Sequence, residues 1–374
     1  MAGIYIHIPF CKQACHYCDF HFSTNLNTKS DLITAILMEI ELQKEYLSGE
    51  VIETIYFGGG TPSLLSSKEL SSILNKIREN FTITATPEIT LEANPDDLTT
   101  NKLKELKVAG VNRLSIGIQS FRDEELRFFN RAHHSKMAIE AVRAAQRIGI
   151  DNISIDLIFA SPNQSIKDLK YDLDQALELK TPHISIYGLT IEENTVFGKW
   201  QAQNKLDPID DDLFGEQLEL IMSTLQKAGY DQYEISNFSK PGFTSRHNSS
   251  YWTGEKYLGI GPSAHSYNGI ERQSNDAHNM RYIRQINDGK IPCTVETLSR
   301  ENLINEFILI RLRLKSGMDY SILKELYGYD ILEVKSSFIQ EFVEHKLLEL
   351  SNNFLRLTSK GKLLADFITE KLII

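Results

Sequence analysis

The chain has 374 residues, of which 41% are hydrophobic and 24% charged, the composition of an ordinary soluble globular protein. Its net charge of −10 disfavours a general electrostatic grip on nucleic acid. No run of about 18 apolar residues occurs, and the first residues lack the basic and then apolar pattern of a signal peptide, so we expect a cytoplasmic protein without a membrane span.

The first predicted strand, TyrIleHisIle (5–8), is followed by a loop that carries three cysteines. Cys11, Cys15 and Cys18 have the spacing Cys-x3-Cys-x2-Cys. Three thiolates can hold three irons of a [4Fe–4S] cluster and leave the fourth iron open, whereas ferredoxins, which only pass electrons, use four cysteines. The spacing therefore predicts a cluster that binds a further molecule.

Two other interpretations of the cysteine loop must be weighed. A disulfide is disfavoured in a large chain without a secretion signal. Zinc is the more serious alternative, because His7, His16 or His21 could supply a fourth ligand. Cys293 lies far from this loop and is expected to be structural.

Five more strands alternate with helical patterns over residues 29–229. The strand candidates are ThrIleTyrPhe (54–57), IleThrLeuGlu (89–92), ArgLeuSerIleGlyIle (113–118), IleSerIleAspLeuIle (153–158) and HisIleSerIleTyr (183–187). The helical patterns lie near 29–47, 66–80, 99–108, 135–148, 165–178 and 210–229. Several strands are apolar almost throughout, as in a parallel sheet covered by helices. Six such units predict an α/β fold, a partial (β/α)6 TIM-like barrel.

Polar and glycine residues cluster where these strands end. GlyGlyGlyThrPro (58–62) follows the second strand, Glu92 ends the third, Gln119 follows the fourth and Asp156 lies late in the fifth. In βα proteins the carboxyl ends of the strands carry the chemistry. The glycines would let a ligand approach the backbone closely, although a plain tight turn is the simpler interpretation of that motif alone.

The last part of the chain differs in character. Residues 232–300 are rich in Gly, Ser, Asn and aromatic residues and are predicted to be irregular. Beyond them we predict helices over 301–314, 319–326, 330–345 and 359–372, with a hairpin around 351–353, which together indicate a winged-helix-like domain. Residues 301–374 hold 10 Lys and Arg against 11 Asp and Glu, so nucleic acid is not the expected partner.

The cysteine spacing, Tyr17 before the last cysteine, and GlyGlyGlyThrPro (58–62) together resemble the radical S-adenosylmethionine (SAM) superfamily. The resemblance implies a [4Fe–4S] cluster held by the three cysteines, with SAM on the open iron, where the reduced cluster can split a C–S bond to give a deoxyadenosyl radical. It also implies that residues at matching positions contact SAM. These are Tyr5, Tyr17, Gly59, Gly60, Thr61, Glu92, Gln119, Arg131 and Asp156.

The chain further resembles the branch that contains oxygen-independent coproporphyrinogen III oxidase and the HemW haem chaperones. The first strand begins at Tyr5 without the oxidase's extension, and Phe20 stands where the oxidase has a fourth cysteine. HisAsnSerSerTyrTrp (247–252) is similar to the haem-binding motif of the chaperones, which implies His247 as a haem ligand. His265 is a second candidate ligand with a simpler structural interpretation. The turn AlaSerProAsnGlnSer (160–165) departs from the glycine-containing family pattern, so we expect a differently shaped loop.

Resemblance to this branch implies a division of the chain into three parts and a function for the protein. We predict a radical SAM partial barrel (1–230), a barrel-closing haem-motif region (231–300) and the C-terminal domain (301–374). The resemblance favours a chaperone that binds haem and passes it to respiratory haem proteins, docking transiently at the membrane, and it suggests a homodimer. The alternatives are an oxidative decarboxylase of coproporphyrinogen III and a non-catalytic zinc or regulatory protein.

Overall fold

The computed structural model describes residues 2–208 and 210–374. Twelve of its strands form one sheet: β1 (Ala2–Ile8), β2 (Ile52–Gly59), β3 (Ile83–Ala93), β4 (Arg113–Gln119), β5 (Asn152–Phe159), β6 (His183–Gly188), β7 (Asp231–Glu234), β8 (Asn237–Ser239), β9 (Lys256–Ile260), β10 (His265–Tyr267), β11 (Glu271–Asn275) and β12 (Cys293–Thr297). Their spatial order is β12-β11-β10-β9-β1-β2-β3-β4-β5-β6-β8-β7.

Among the described residues, ten α-helices accompany these strands: α1 (Lys29–Leu42), α2 (Ser67–Asn80), α3 (Thr100–Ala109), α4 (Asp123–Phe128), α5 (Ser135–Arg147), α6 (Ile166–Glu178), α7 (Val196–Ala202), α8 (Asp211–Lys227), α9 (Arg246–Thr253) and α10 (Asn279–Asn287). Local signals define several helix starts. At α2, for example, the Ser66 hydroxyl and the Glu69 carboxylate form a capping box. Within the described chain, every helix is too short or too polar to traverse a lipid bilayer.

Strands β1 to β6 run parallel in sequential order, which confirms the predicted α/β partial barrel. Side chains of β1 alternate between two environments. Ile4, Ile6 and Ile8 are fully buried in the hydrophobic core, whereas Tyr5 and His7 contact residues of β2 and of the turn that follows it. This alternation gives the barrel an apolar outer layer under the helices and a polar interior.

The prediction of an irregular region over 232–300 was wrong. Strand β9 pairs in parallel with β1, on the side opposite β2, and antiparallel strands extend the sheet at both ends. These strands are only three to five residues long, and β12 is largely exposed, so no apolar pattern marks them.

The C-terminal residues form a smaller unit with its own core. It comprises α11 (Arg300–Leu312), β13 (Met318–Asp319), α12 (Tyr320–Tyr327), α13 (Ile331–Val334), α14 (Ser336–Glu344), β14 (Leu348–Ser351), β15 (Phe354–Leu357), α15 (Ser359–Lys362) and α16 (Ala365–Leu372). The hairpin and the third short strand make a sheet of order β13-β15-β14 beside the helices. The helix predicted over 330–345 is divided at Lys335 into α13 and α14.

Candidate functional site

The cysteine loop begins directly after β1 and is closed by backbone hydrogen bonds. The Cys11 N–H donates to the Ser23 carbonyl at 3.0 Å, and the Ser23 N–H donates to the Pro9 carbonyl at 2.7 Å. The far side of the loop is held by the turn after α4, where the Asn130 amide donates to the Ala14 carbonyl at 2.7 Å. The three thiols are thereby presented on a fixed backbone at the carboxyl end of the barrel strands.

Two polar side chains approach the thiols. The Thr61 hydroxyl donates to Cys11 Sγ at 3.4 Å, and Arg131 Nη1 donates to Cys15 Sγ at 3.3 Å. Burial raises the pKa of the Cys11 thiol and raises that of Cys18 to about 11. A positive metal centre bound to the thiolates would reverse this burial penalty. Three partly buried thiols with donors aimed at them fit the cubane iron–sulfur cluster that the spacing predicts.

The glycine turn brings backbone close to the cysteine loop. Gly59 has a φ of 106°, and a Cβ there would lie 2.6 Å from the His7 ring. A Cβ on Gly60 would lie 2.8 Å from the Phe10 carbonyl oxygen. Side chains are excluded at both positions, so this turn does more than change the chain direction: it packs against the start of the cysteine loop.

Glu92 lies at the end of β3 and faces the same interior. Its carboxylate accepts hydrogen bonds from the Tyr56 hydroxyl at 2.8 Å and from the Gly59 N–H at 3.2 Å. Burial raises its pKa from 4.5 to about 7, with the nearby Asp156 carboxylate adding to the rise. Because burial disfavours the charged form of this carboxylate, a cationic or hydroxyl-bearing ligand would stabilise it.

Arg131 ties the strand ends to the cysteine loop. Its Nη2 donates to Asn94 Oδ1 at 2.6 Å and to the Gly117 carbonyl at 2.7 Å, while Nη1 also lies 3.4 Å from the Tyr17 hydroxyl. Its Nε is buried without a partner within the described chain. The guanidinium thus already spans two strands and the loop, with one donor left for a ligand.

Asp156 and Gln119 complete the polar interior at β4 and β5. The Asp156 carboxylate accepts from the Ser115 hydroxyl at 3.1 Å and from the Ser154 hydroxyl at 3.2 Å, and burial raises its pKa. Gln119 has a φ of 70°, in the left-handed region that is strained for a residue with a side chain. Such strain is typical of residues held in place for function.

His247 lies elsewhere, near the amino-terminal ends of β1 and β2. It is 1% exposed on α9, and its ring stacks on Tyr56 with centroids 5.0 Å apart. Its Nδ1 hydrogen-bonds the Thr54 hydroxyl at 2.7 Å, and its Nε2 hydrogen-bonds the Tyr251 hydroxyl at 2.8 Å. An axial bond to iron needs a free nitrogen lone pair, so the predicted haem role would require one of these bonds to break.

The other motif aromatics, Tyr251 and Trp252, line a cavity of about 660 Å³. It lies between the barrel, the cysteine-loop residues 19–21, the hairpin of β10 and β11, and helices α11 and α12. His7, His21 and His265 also line it. The sequence motif therefore contributes aromatic walls to a large cavity, while its histidine supports one of those walls from behind.

The proposed zinc ligands have other partners. His16 Nδ1 donates to the Phe128 carbonyl at 2.9 Å, and both His7 nitrogens bond to neighbours, Tyr5 and His21. Within residues 2–208 and 210–374, no group of three His, Cys, Asp or Glu side chains is arranged to hold a single metal ion.

Sequence reasoning missed two residues of this interior. Asn94 bonds both Arg131 and the Thr61 hydroxyl, and Tyr56 bonds Glu92. Asn94 lies two residues after Glu92, and only its neighbours from other parts of the chain reveal its role. The predicted residues at the strand ends converge on one interior. His247, which lies on α9, is not among them.

Family models and relatives agree with this architecture. The radical SAM superfamily model matches residues 5–176, and the HemN C-terminal domain model matches residues 298–364. The chain is 36% identical over 369 residues to the haem chaperone HemW of Bacillus subtilis, covering 98% of this chain and 97% of that protein. It is also 36% identical to HemW of Lactococcus lactis, covering 99% and 97% respectively.

The chain belongs to the HemW family. A solved structure of coproporphyrinogen III oxidase (HemN) from Escherichia coli, a radical SAM enzyme, superposes with a TM-score of 0.85 at 23% identity. The match covers 100% of this HemW-family chain and 90% of HemN. At that identity the likeness establishes a shared fold, including the C-terminal domain.

Glu92→Gln should remove a pH dependence from the stability of the SAM-free HemW-family protein. Between pH 4.5 and about 7 the folded wild type keeps a proton that the unfolded chain has released, so its free energy of unfolding falls as pH rises. At about 1.4 kcal/mol per pKa unit, this loss is at most about 3.5 kcal/mol. Urea unfolding of both proteins at pH 5 and pH 8 measures it; equal pH dependences would contradict the assignment.

Proposed function

We propose that this protein is a haem chaperone that also carries a SAM-liganded [4Fe–4S] cluster. The observation that carries the proposal is the cavity of about 660 Å³ beside the cysteine loop, whose wall includes Tyr251 and Trp252 of the haem-motif hexad. Its volume is in the range of small-molecule sites, and flat aromatic faces suit a macrocycle. The full-length similarity to proteins named haem chaperone supports it.

The barrel residues would hold the cluster and SAM. Cys11, Cys15 and Cys18 would ligate three irons, and when bound the cluster would supply an open coordination site for SAM. Glu92 and Asp156 offer carboxylate oxygens for the ammonium or ribose hydroxyls of SAM. Gly59, Gly60, Thr61 and Gln119 would shape the surrounding turn and strand ends, with Tyr5 and Tyr17 packing beside them.

Arg131 has two tasks in this arrangement. Its bonds to Asn94 and to the Gly117 carbonyl join two strand ends, and its bond to Cys15 orients the cysteine loop. The unpartnered Nε leaves a donor for the SAM carboxylate. Arg131 would thus position the loop and bind the cofactor with the same guanidinium.

Transfer of the cargo is the proposed task of the whole protein. Haem would be passed to respiratory haem proteins through transient contact at the membrane, with the chain acting from the cytoplasm as a homodimer. His247 would support the site from the barrel side, with direct ligation of haem requiring release of Thr54 or Tyr251.

Haem titration tests the proposal. The purified full chain, with and without reconstituted cluster, should bind about one ferric haem per chain, seen as a growing Soret band and quenched tryptophan emission. An anaerobic assay with coproporphyrinogen III, SAM and a reductant should give no vinyl product. Absence of haem binding would contradict the chaperone proposal, and catalytic formation of vinyl product would replace it with the oxidase function.

A further inference from the structure

The cavity between the barrel and the C-terminal domain contains an arginine that forms no salt bridge within the described chain. Arg311, near the end of α11, donates from Nη2 to the Thr253 carbonyl at 2.8 Å and stacks on the Phe307 ring at 4.7 Å. Its Nε is buried and has no partner, and it forms no ion pair with any carboxylate of the described chain. Burial lowers the pKa of its guanidinium, and the nearby Tyr327, Glu255 and Asp319 offset only part of that effect.

The other arginine of the cavity shows the contrast. Arg272 on β11 donates to both Glu306 oxygens, at 2.6 and 2.8 Å, and to the Tyr257 hydroxyl at 2.9 Å. Its charge is therefore neutralised within the protein. Arg311 is the cation of this cavity wall that is prepared to receive an anion from outside, because a guanidinium is permanently charged and suits carboxylates.

The remaining walls are aromatic and supply one further free donor. Trp252, Tyr257 and Tyr267 lie on the barrel side, and Phe307 and Tyr327 lie on the C-terminal side. The Trp252 Nε1–H is buried without an acceptor. A ligand that fits must be large and flat, and it must carry an anionic group toward α11.

Four histidines lie in or behind this cavity, and they differ in whether their ring nitrogens are already hydrogen-bonded. Both nitrogens of His7 and of His247 are bonded, and His21 Nε2 bonds Asn279 Oδ1 at 2.7 Å. The His265 ring on β10 forms no hydrogen bond within the described chain, so its nitrogen lone pair is free. Its backbone is held in the sheet, where His265 pairs with Ser274 of β11.

We propose that haem binds in this cavity with a propionate on Arg311 and with its iron facing His265. This placement rests on the proposed function and adds the residues that recognise the cargo. The porphyrin faces would contact the tyrosine and tryptophan walls, and the C-terminal domain would contribute the carboxylate anchor. Haem would then bridge the two parts of the chain.

The Arg311 assignment is tested with haem and its dimethyl ester, which lacks the carboxylates. The wild-type full chain should bind haem more tightly than the ester, and Arg311→Gln should weaken haem binding by about tenfold while leaving ester binding unchanged. Arg313→Gln is the matched control, because Arg313 stacks over Trp252 and does not line the cavity. It should keep the wild-type preference.

The axial assignment is tested by spectroscopy of the same full-length protein. His265→Ala should shift the Soret band and weaken binding, whereas His345→Ala, which lies outside the cavity, should keep the wild-type spectrum. An unchanged preference for haem in Arg311→Gln would overturn the anchor, and a spectrum left unchanged by His265→Ala would overturn the ligand. If the wild type binds no haem, the proposed function fails; if it binds haem and these variants do not differ from it, only this placement fails.

Discussion

Replacing Cys15 with alanine should remove nearly all iron and acid-labile sulfide from the reconstituted protein. A cubane held by three thiolates loses one of its three protein attachments, and the Arg131 donor that faces Cys15 then has no sulfur partner. The wild type should carry about four irons per chain and absorb broadly in the visible range, and the variant should be almost colourless. Iron and sulfide analysis together with circular dichroism separates cluster loss from misfolding.

Cys293→Ala is the control for that experiment. Cys293 begins β12, at the edge of the sheet and away from the cysteine loop, so its removal should leave iron and sulfide unchanged. The decisive contrary result is zinc at one per chain without sulfide in the wild type. That result would favour the zinc alternative and remove the structural reason for placing SAM at the strand ends.

The parallel core could be predicted because its signals are local. Each of the six predicted strands lies within an observed strand, and the helix predicted over 66–80 is α2 (Ser67–Asn80). The position of β9 beside β1 could not be predicted in the same way. It depends on pairing between residues 256–260 and residues 2–6, and no local pattern records which distant strand a segment will join.

The part of the candidate site that lies at the ends of the parallel strands could be predicted from the sequence. Glu92 and Asp156 were placed by the rule that parallel strands bring their carboxyl ends together. Asn94 was missed because its importance comes from contacts with Thr61 and Arg131, which are distant in sequence. A single sequence carries no record of such pairwise partners.

For His247, the motif resemblance identified the correct region of the chain, but it did not predict the direction in which the side chain points. The hexad forms α9, so residues four apart share a helix face and His247 meets Tyr251. The histidine then points into the barrel and the aromatic residues line the cavity. Chemistry alone would have assigned the metal to the imidazole, because histidine is a common haem ligand.

One buried carboxylate fastens the cavity hairpin to the barrel. Glu39 on α1 is fully buried and accepts hydrogen bonds from the Tyr282 hydroxyl at 2.6 Å, the Gly261 N–H at 2.8 Å and the Asn275 amide at 2.7 Å. Gln43 adds a fourth donor at 3.1 Å. Gly261 precedes β10 and Asn275 is the last residue of β11, so this carboxylate fixes the wall that holds His265.

Glu39→Ala is accordingly expected to destabilise the protein by at least about 3 kcal/mol, since each buried donor left without an acceptor costs about 1 to 3 kcal/mol. Glu39→Gln should destabilise the protein less than Glu39→Ala. Its amide oxygen can still accept hydrogen bonds, but its amide nitrogen would face donors that in the wild type meet an oxygen. Glu41→Ala is the matched control on the same helix. Glu41 is exposed and pairs with Lys76, so its loss should leave the urea midpoint unchanged.

The same variants separate stability from cargo binding. If Glu39 fixes the hairpin, limited proteolysis of folded Glu39→Gln at low temperature should cut first between residues 261 and 275, and haem affinity should fall with it. Equal urea midpoints for the Glu39 and Glu41 variants would contradict the fastening role. Wild-type haem affinity in a variant whose hairpin is cleaved would show that the barrel face alone holds the cargo, and His265 would then have no part in binding.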